Sequence, residues 1–318
     1  MNCICCNASE LINRKDLRGY KMLRCKNCSF EFVHPLPSVK EIEDFYTKTR
    51  VVSNLKEIIK SYINDFDKGG QAPKRDWFDR VLEQAKKYTQ KEKLNIIEIG
   101  SGYGYFIHYA THKGHAAVGT EVTRDYAEAA NEAVSGEIKY IPDGKYNSVM
   151  QDGKADLVYM EHVFEHVLEP QQILNEVKRM LSDKGIFHVS VPNSKSLLAN
   201  LMGSKWPWAC PPDHLYFYNK KALRTFLEKN GFEVLECYAA DHYFRSIYQM
   251  YSLIPYTNFI RKKMKLSTKP YPYRYPKSMG DIITLLPYWI LYPFLKMAPS
   301  GSGNELTIIA RLKAHSAR

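Results

Sequence analysis

The chain has 318 residues, 45% of them hydrophobic, and a formal net charge of +11. That is apolar material for one large domain with additions or for two domains, and it excludes general disorder. The positive balance suits an anionic partner (a nucleic acid, a phosphorylated substrate or a membrane surface) or a solvated basic surface. The opening MNCICCNASE has no basic stretch followed by an apolar one, so no secretory signal is read there. No apolar run reaches the roughly 18 residues that cross a membrane; the longest, Ile282 to Leu295, is interrupted by Pro287 and Pro293. A cytoplasmic location is expected, and seven cysteines in that compartment argue against a disulfide framework.

Cys3 and Cys6, then Cys25 and Cys28, form two C-x-x-C pairs. Each pair fits the turn that points two thiolates at one ion. Four thiolates around Zn2+ make a closed tetrahedral site that holds structure and leaves no position open for chemistry. Cys5 could replace Cys3 or Cys6, or be a spare thiol. A segment this short cannot fold on an apolar core alone, and the ion supplies what the core lacks. Residues 1–37 are therefore expected to be a zinc ribbon, ended by Pro35 and Pro37. Ser38 reads as a helix N-cap with Glu41 at the capping-box position. Residues 38–93 read as helical and charged, broken at DKGGQAP, and are expected to be a linker and a lead-in helix.

At Leu94 to Ile99 a short apolar run suits a strand buried on both faces. Gly100, Gly102 and Gly104 follow at once, and a helix is expected near Tyr105. Glycines let the backbone turn tightly beside a ligand, and a helix N-terminus adds free N–H groups. The stretch GHAAVGTEV reads as a second strand ending in Glu121, where a nucleotide-binding fold places an acid on ribose hydroxyls.

The pattern E-x-G-x-G-x-G from Glu98 to Gly104 resembles motif I of class I S-adenosylmethionine-dependent methyltransferases. The resemblance implies cofactor contacts at Glu98, Gly100, Ser101, Gly102, Gly104, Glu121 and Glu161, with Glu121 on the ribose. It also implies a Rossmann-like α/β sheet: strand four from Asp156 to Met160, strand five ending near Pro192, strand six in GFEVLECYA, and an antiparallel strand seven from Asn304 to Lys313. The core is expected at 94–240, completed by 304–313. A cysteine ribbon before such a domain resembles a bacterial subgroup associated with glycan and natural-product biosynthesis.

The stretch MEHVFEHVLEP, residues 160–170, holds two Glu-His pairs just beyond strand four, and ligands of doubly wound sheets bind beyond the carboxyl ends of strands. His162, Glu165 and His166 are spaced to share one face if a helix starts there, with Glu161 pointing elsewhere. The loop after strand five leaves the same edge and carries His214. The arrangement is similar to that of metal-dependent O-methyltransferases, including the small-RNA 2′-O-methyltransferases, although His162 stands where those have Glu. Three readings stay open. His162, Glu165, His166 and His214 could hold a second divalent metal; His166 or His214 could act as general base without one; or Glu165 and His166 could serve structure by hydrogen-bonding nearby loops.

Residues 241–303 are expected to be a basic, tyrosine-rich and apolar insertion covering the mouth of the site. It suits a packed lid, peripheral membrane contact, an acceptor on a lipid-phosphate carrier, or an RNA strand stacked on tyrosines. Trp206 and Trp208 could present a flat wall to a sugar ring. The functional expectation is methyl transfer from S-adenosylmethionine to a sugar hydroxyl of a surface glycan or related metabolite, because a hydroxyl must lose its proton while C- or N-methylation needs less apparatus. RNA 2′-O-methylation is the second reading, and a cofactor-binding scaffold or regulatory protein without catalysis is the third.

Overall fold

A computed structural model of the protein describes residues 1–49, 54–70, 72–142, 152–240 and 303–313. The expected insertion, including Ile282 to Leu295, lies outside the described residues apart from Gly303. No helix among the described residues is long and apolar enough to cross a membrane.

The N-terminal segment is an antiparallel ribbon of β1 (Leu11–Leu17), β2 (Tyr20–Cys25) and β3 (Glu31–Val33). Helix α1 (Val39–Thr49) starts with the expected capping box: the Ser38 backbone N–H donates to Glu41 Oε2 at 2.7 Å, and the Glu41 N–H donates to Ser38 Oγ at 3.3 Å. Two further helices follow, α2 (Leu55–Asp67) and α3 (Ala72–Thr89). They are not a tether, as 38–93 was expected to be. Ile59, Ile63 and Phe66 on one helix, and Trp77, Phe78, Val81, Leu82 and Ala85 on the other, recur at helical spacing and are buried in one cluster with sheet residues. The charged residues that suggested a linker occupy the outer faces of amphipathic helices.

The central sheet is built from β4 (Asn95–Ile99), α4 (Tyr105–His112), β5 (Ala116–Glu121), α5 (Arg124–Asn131), β6 (Glu137–Tyr140), β7 (Ala155–Glu161), α6 (Pro170–Met180) and β8 (Leu181–Pro192). After it come the short α7 (Leu197–Met202), β9 (Tyr216–Phe217), α8 (Lys220–Lys229), β10 (Phe232–Ala240) and β11 (Glu305–Leu312). The sheet order is β10-β11-β8-β7-β4-β5-β6, with β11 antiparallel to both its neighbours. Strand β7 shows why the run LVYM, Leu157 to Met160, carries no charge. Val158 and Met160 enter the core on one face, and Leu157 and Tyr159 enter the core on the other, as alternation across a doubly covered sheet requires. Trp77 of α3 donates its indole N–H to the buried Tyr159 hydroxyl at 3.0 Å.

The ribbon does not end at residue 37. Strand β9 pairs antiparallel with β3 and makes a four-stranded sheet in the order β1-β2-β3-β9. A strand edge that a separate ribbon would leave bare is thus covered from the far side of the chain.

Candidate active site

Strands β4, β5, β7 and β8 are parallel, so their carboxyl ends share one edge. Gly100 leaves β4 with φ +77, and a Cβ there would sit 2.4 Å from Val163 Cγ2. Only glycine lets this loop lie directly on the turn that follows β7. Gly104 precedes α4 in a left-handed conformation. Glu121, at the end of β5, reaches back across the edge: its Oε2 accepts from the Gly102 N–H at 3.0 Å, and its Oε1 accepts from Val122 and Thr123 N–H at 2.9 and 3.0 Å. Glu98 is buried, and its Oε2 accepts no hydrogen bond; Ser101 Oγ is buried likewise. Burial pushes the Glu98 carboxyl well above the usual range, against the pull of Ser101 and with repulsion from Glu161 and Glu121. A glycine cradle lined by under-satisfied polar atoms fits a polar, positively charged ligand such as S-adenosylmethionine.

Beyond β7 no helix begins. Residues 162–169 form turns, and α6 starts at Pro170. His162 is left-handed with φ +53, and its N–H donates to the Ser190 carbonyl at 3.0 Å. That conformation breaks any helix at its start, so the expected one-face spacing does not apply; the turn itself gathers the side chains. Glu165 is fully buried, and neither of its oxygens receives a hydrogen bond of good geometry. Around its Oε1 stand His162 Nδ1 at 3.4 Å, His166 Nε2 at 3.8 Å and His214 Nε2 at 3.9 Å.

The three imidazoles are not equivalent. His162 lies between two carboxylates, with Nε2 3.5 Å from Glu305 Oε1. Burial disfavours its charge, but Glu165 and Glu305 outweigh that and raise its pKa to about 10. His166 donates Nδ1–H to the Asp213 carbonyl at 2.6 Å, with Asp213 Oδ1 at 3.3 Å. Burial again opposes its charge, while Asp213 and Glu165 raise its pKa. Burial and the neighbouring His166 lower His214 to about 3. Glu165 stays ionised despite burial, because His162, His166 and His214 lower its pKa. At neutral pH His214 is thus uncharged. Trp208 stacks on both His162 and His214, with centroids 5.0 and 5.6 Å apart.

The expected four-residue metal set is divided. Ligand atoms of Glu165, His166 and His214 lie within 4.8 Å of one another, whereas His162 groups with Glu161 and Glu305. Glu161 therefore does not point away from the cluster. The reason is the left-handed backbone at His162, which turns one ring nitrogen toward β11. Sequence reasoning missed Asp213 and Glu305. The first was detectable as the residue beside His214 in PPDHLY, the second as the acid opening strand seven. Cys3, Cys6, Cys25 and Cys28 form a separate group, with Cys3 and Cys28 Sγ 3.6 Å apart and Cys6 and Cys25 Sγ 3.4 Å apart. A tetrahedral Zn–S shell with bonds of about 2.3 Å has edges of about 3.8 Å, so these thiols fit one ion. Cys5 is buried and stands outside the group.

Comparison with known proteins gives the family. Residues 70–237 match the family model of a methyltransferase domain. The chain belongs to that family of methyltransferase domains. It is similar to the C-methyltransferase NovU of Streptomyces niveus, 28% identical over 151 residues, which are 46% of this chain and 34% of the relative. The match thus spans about a third of that relative's length. It is also similar to an uncharacterized protein of Methanocaldococcus jannaschii, 24% identical over 65% of this chain and 80% of the relative. Among solved structures, the [4+2]-cyclase SpnF aligns with a TM-score of 0.50 at 15% identity, covering 87% of this chain and 97% of that one. At that identity the likeness is one of fold.

Proposed function

We propose that the enzyme methylates a small-molecule acceptor whose nucleophile must lose a proton, first of all a sugar hydroxyl of a surface glycan or related metabolite. The observation that carries this reading is the placement of the His214 imidazole, its Nε2 3.9 Å from the buried Glu165 carboxylate, on the same sheet edge as the glycine loop. S-adenosylmethionine, when bound, supplies an already activated methyl group. Glu98, Gly100, Ser101, Gly102, Gly104, Glu121 and Glu161 would hold it. His214 accepts the acceptor's proton. Glu165 steadies the cationic His162 and the charge that develops on His214. The Asp213 carbonyl accepts the His166 Nδ1–H and so fixes the orientation of that ring.

A second reading is C-methylation of a carbon acid. The similarity to a C-methyltransferase favours it, and a carbon acid needs a base as much as a hydroxyl does. The second divalent metal, now reduced to Glu165, His166 and His214, is the alternative way to lower an acceptor pKa. The test is incubation with methyl-labelled cofactor and panels of nucleotide sugars and keto-sugars, with the product bond located by NMR. Carbon-bound label selects the second reading, and activity that tracks an added divalent ion selects the metal. The four ribbon cysteines are proposed to hold structural Zn2+. The membrane reading rested on 241–303, outside the described residues apart from Gly303, and the RNA reading on the net charge and the Glu-His cluster.

A further inference from the structure

The loop between β8 and α8 carries Trp208, Asp213 and His214 and has little regular structure: α7 has six residues and β9 two. A loop of this length is ordered only if something outside it compensates the entropy. The compensating partner is the ribbon. Its sheet alternates, so Phe32 and Tyr216 face the domain core together with Cys3, Cys25 and Cys28. Met22, Val33 and Phe217 face the other way, onto Leu198, Trp206 and Ala209, with Trp208 packed at the margin. The backbone makes the same bridge. The Val33 N–H donates to the Leu215 carbonyl at 3.0 Å, and the Leu215 N–H donates to the Glu165 carbonyl at 3.0 Å. Asn219 closes it from the far side. Its Nδ2 donates to the Cys28 carbonyl at 3.0 Å, while its Oδ1 caps α8 by accepting from the Ala222 N–H at 3.0 Å.

We infer that the four-cysteine ribbon is a wall of the acceptor site: by adopting β9 as its fourth strand it holds His214 and Trp208 against Glu165, with Asn219 as a positioning residue. The inference rests on the reading of His214 as the base. It separates two roles. The cofactor loop after β4 is fixed by β5 and α4, and makes no part of this bridge. Loss of the cysteine-bound metal therefore releases the acceptor side and leaves cofactor binding in place.

The test uses the full chain, with its metal content measured before and after chelation. Hydrogen exchange is followed in peptides covering 206–219 and 95–121, and cofactor affinity by calorimetry. Metal removal is expected to speed exchange at 206–219 by about tenfold or more, while exchange at 95–121 and cofactor affinity stay within about twofold. Unchanged exchange at 206–219, or equal acceleration at 95–121, overturns the inference. Should the metal-free chain aggregate, Asn219→Asp replaces it, because aspartate keeps the helix cap and lacks the donor to Cys28. Expected are faster exchange at 206–219 and a lower transfer rate at unchanged cofactor KM; wild-type values for both overturn the inference. If His214→Ala retains full transfer while the exchange pattern holds, the base assignment fails and the wall stands.

Discussion

On the proposed cofactor side, one segment, residues 94–121, supplies most of the groups, through glycine φ angles and an acid, Glu121, that ties two strand ends together, with Glu161 added from β7. On the acceptor side, side chains do the work, and they come from the turn after β7, the loop after β8 and the first residue of β11, braced by a ribbon from the N-terminus. A backbone site needs only local chain geometry. A buried cluster of one carboxylate and three imidazoles needs every member to balance the charge of the others.

That contrast can be broken most severely at its central charge. Glu165→Gln keeps the shape but leaves the half-buried His162 and His166 rings facing a neutral amide. Stability in denaturant should fall by about 3–5 kcal/mol, and an unchanged midpoint would show that the cluster is not charge-balanced by this carboxylate. His214→Ala should lower the transfer rate on the order of 10²- to 10³-fold with cofactor affinity unchanged by calorimetry. Equal losses in both would merge the two sides that the structure keeps apart. Glu121→Ala removes the acceptor of three backbone N–H groups and should do the reverse. Cofactor affinity should drop about tenfold, the equivalent of one well-made hydrogen bond, with the cluster's pH behaviour intact.

The pH behaviour sharpens the comparison further. His162 has a folded pKa of about 10 against an ordinary 6.5, so its contribution to stability is complete below pH 6.5 and is gone once pH has risen through about 10. The groups facing it are Glu165 and Glu305, with Trp208 stacked on the ring. The stability difference between wild type and His162→Gln should therefore shrink steadily between those limits; a pH-independent difference would mean that packing on Trp208, not charge, is what His162 supplies. His214, at about 3, predicts the smallest effect: no histidine-like inflection near pH 6.5 in the transfer rate. An inflection there would assign the base to a less buried group.

The motif from Glu98 to Gly104, the strand ending in Glu121, the doubly buried strand from Leu94 to Ile99 and the capping box at Ser38 were legible because each depends on residues close in the chain. The helical pattern of 38–93 was legible too, but its burial was not: amphipathic spacing says which face is apolar and not what covers it. The Glu-His stretch was placed on a helix, whereas it lies in turns, since a left-handed His162 is not readable from spacing.

By itself the sequence determined the periodicities, the glycine loop and the paired cysteines, and through them the class of fold, because short-range sterics and metal-ligand spacing leave few alternatives. Only the tertiary structure decided that Glu305 and Asp213 join the cluster, that His162 is pulled out of the metal set, and that the ribbon borrows a strand from the loop carrying His214. Those outcomes rest on hydrogen bonds and ion pairs between segments far apart in the chain, where local propensity carries no information and burial decides which charge finds which partner.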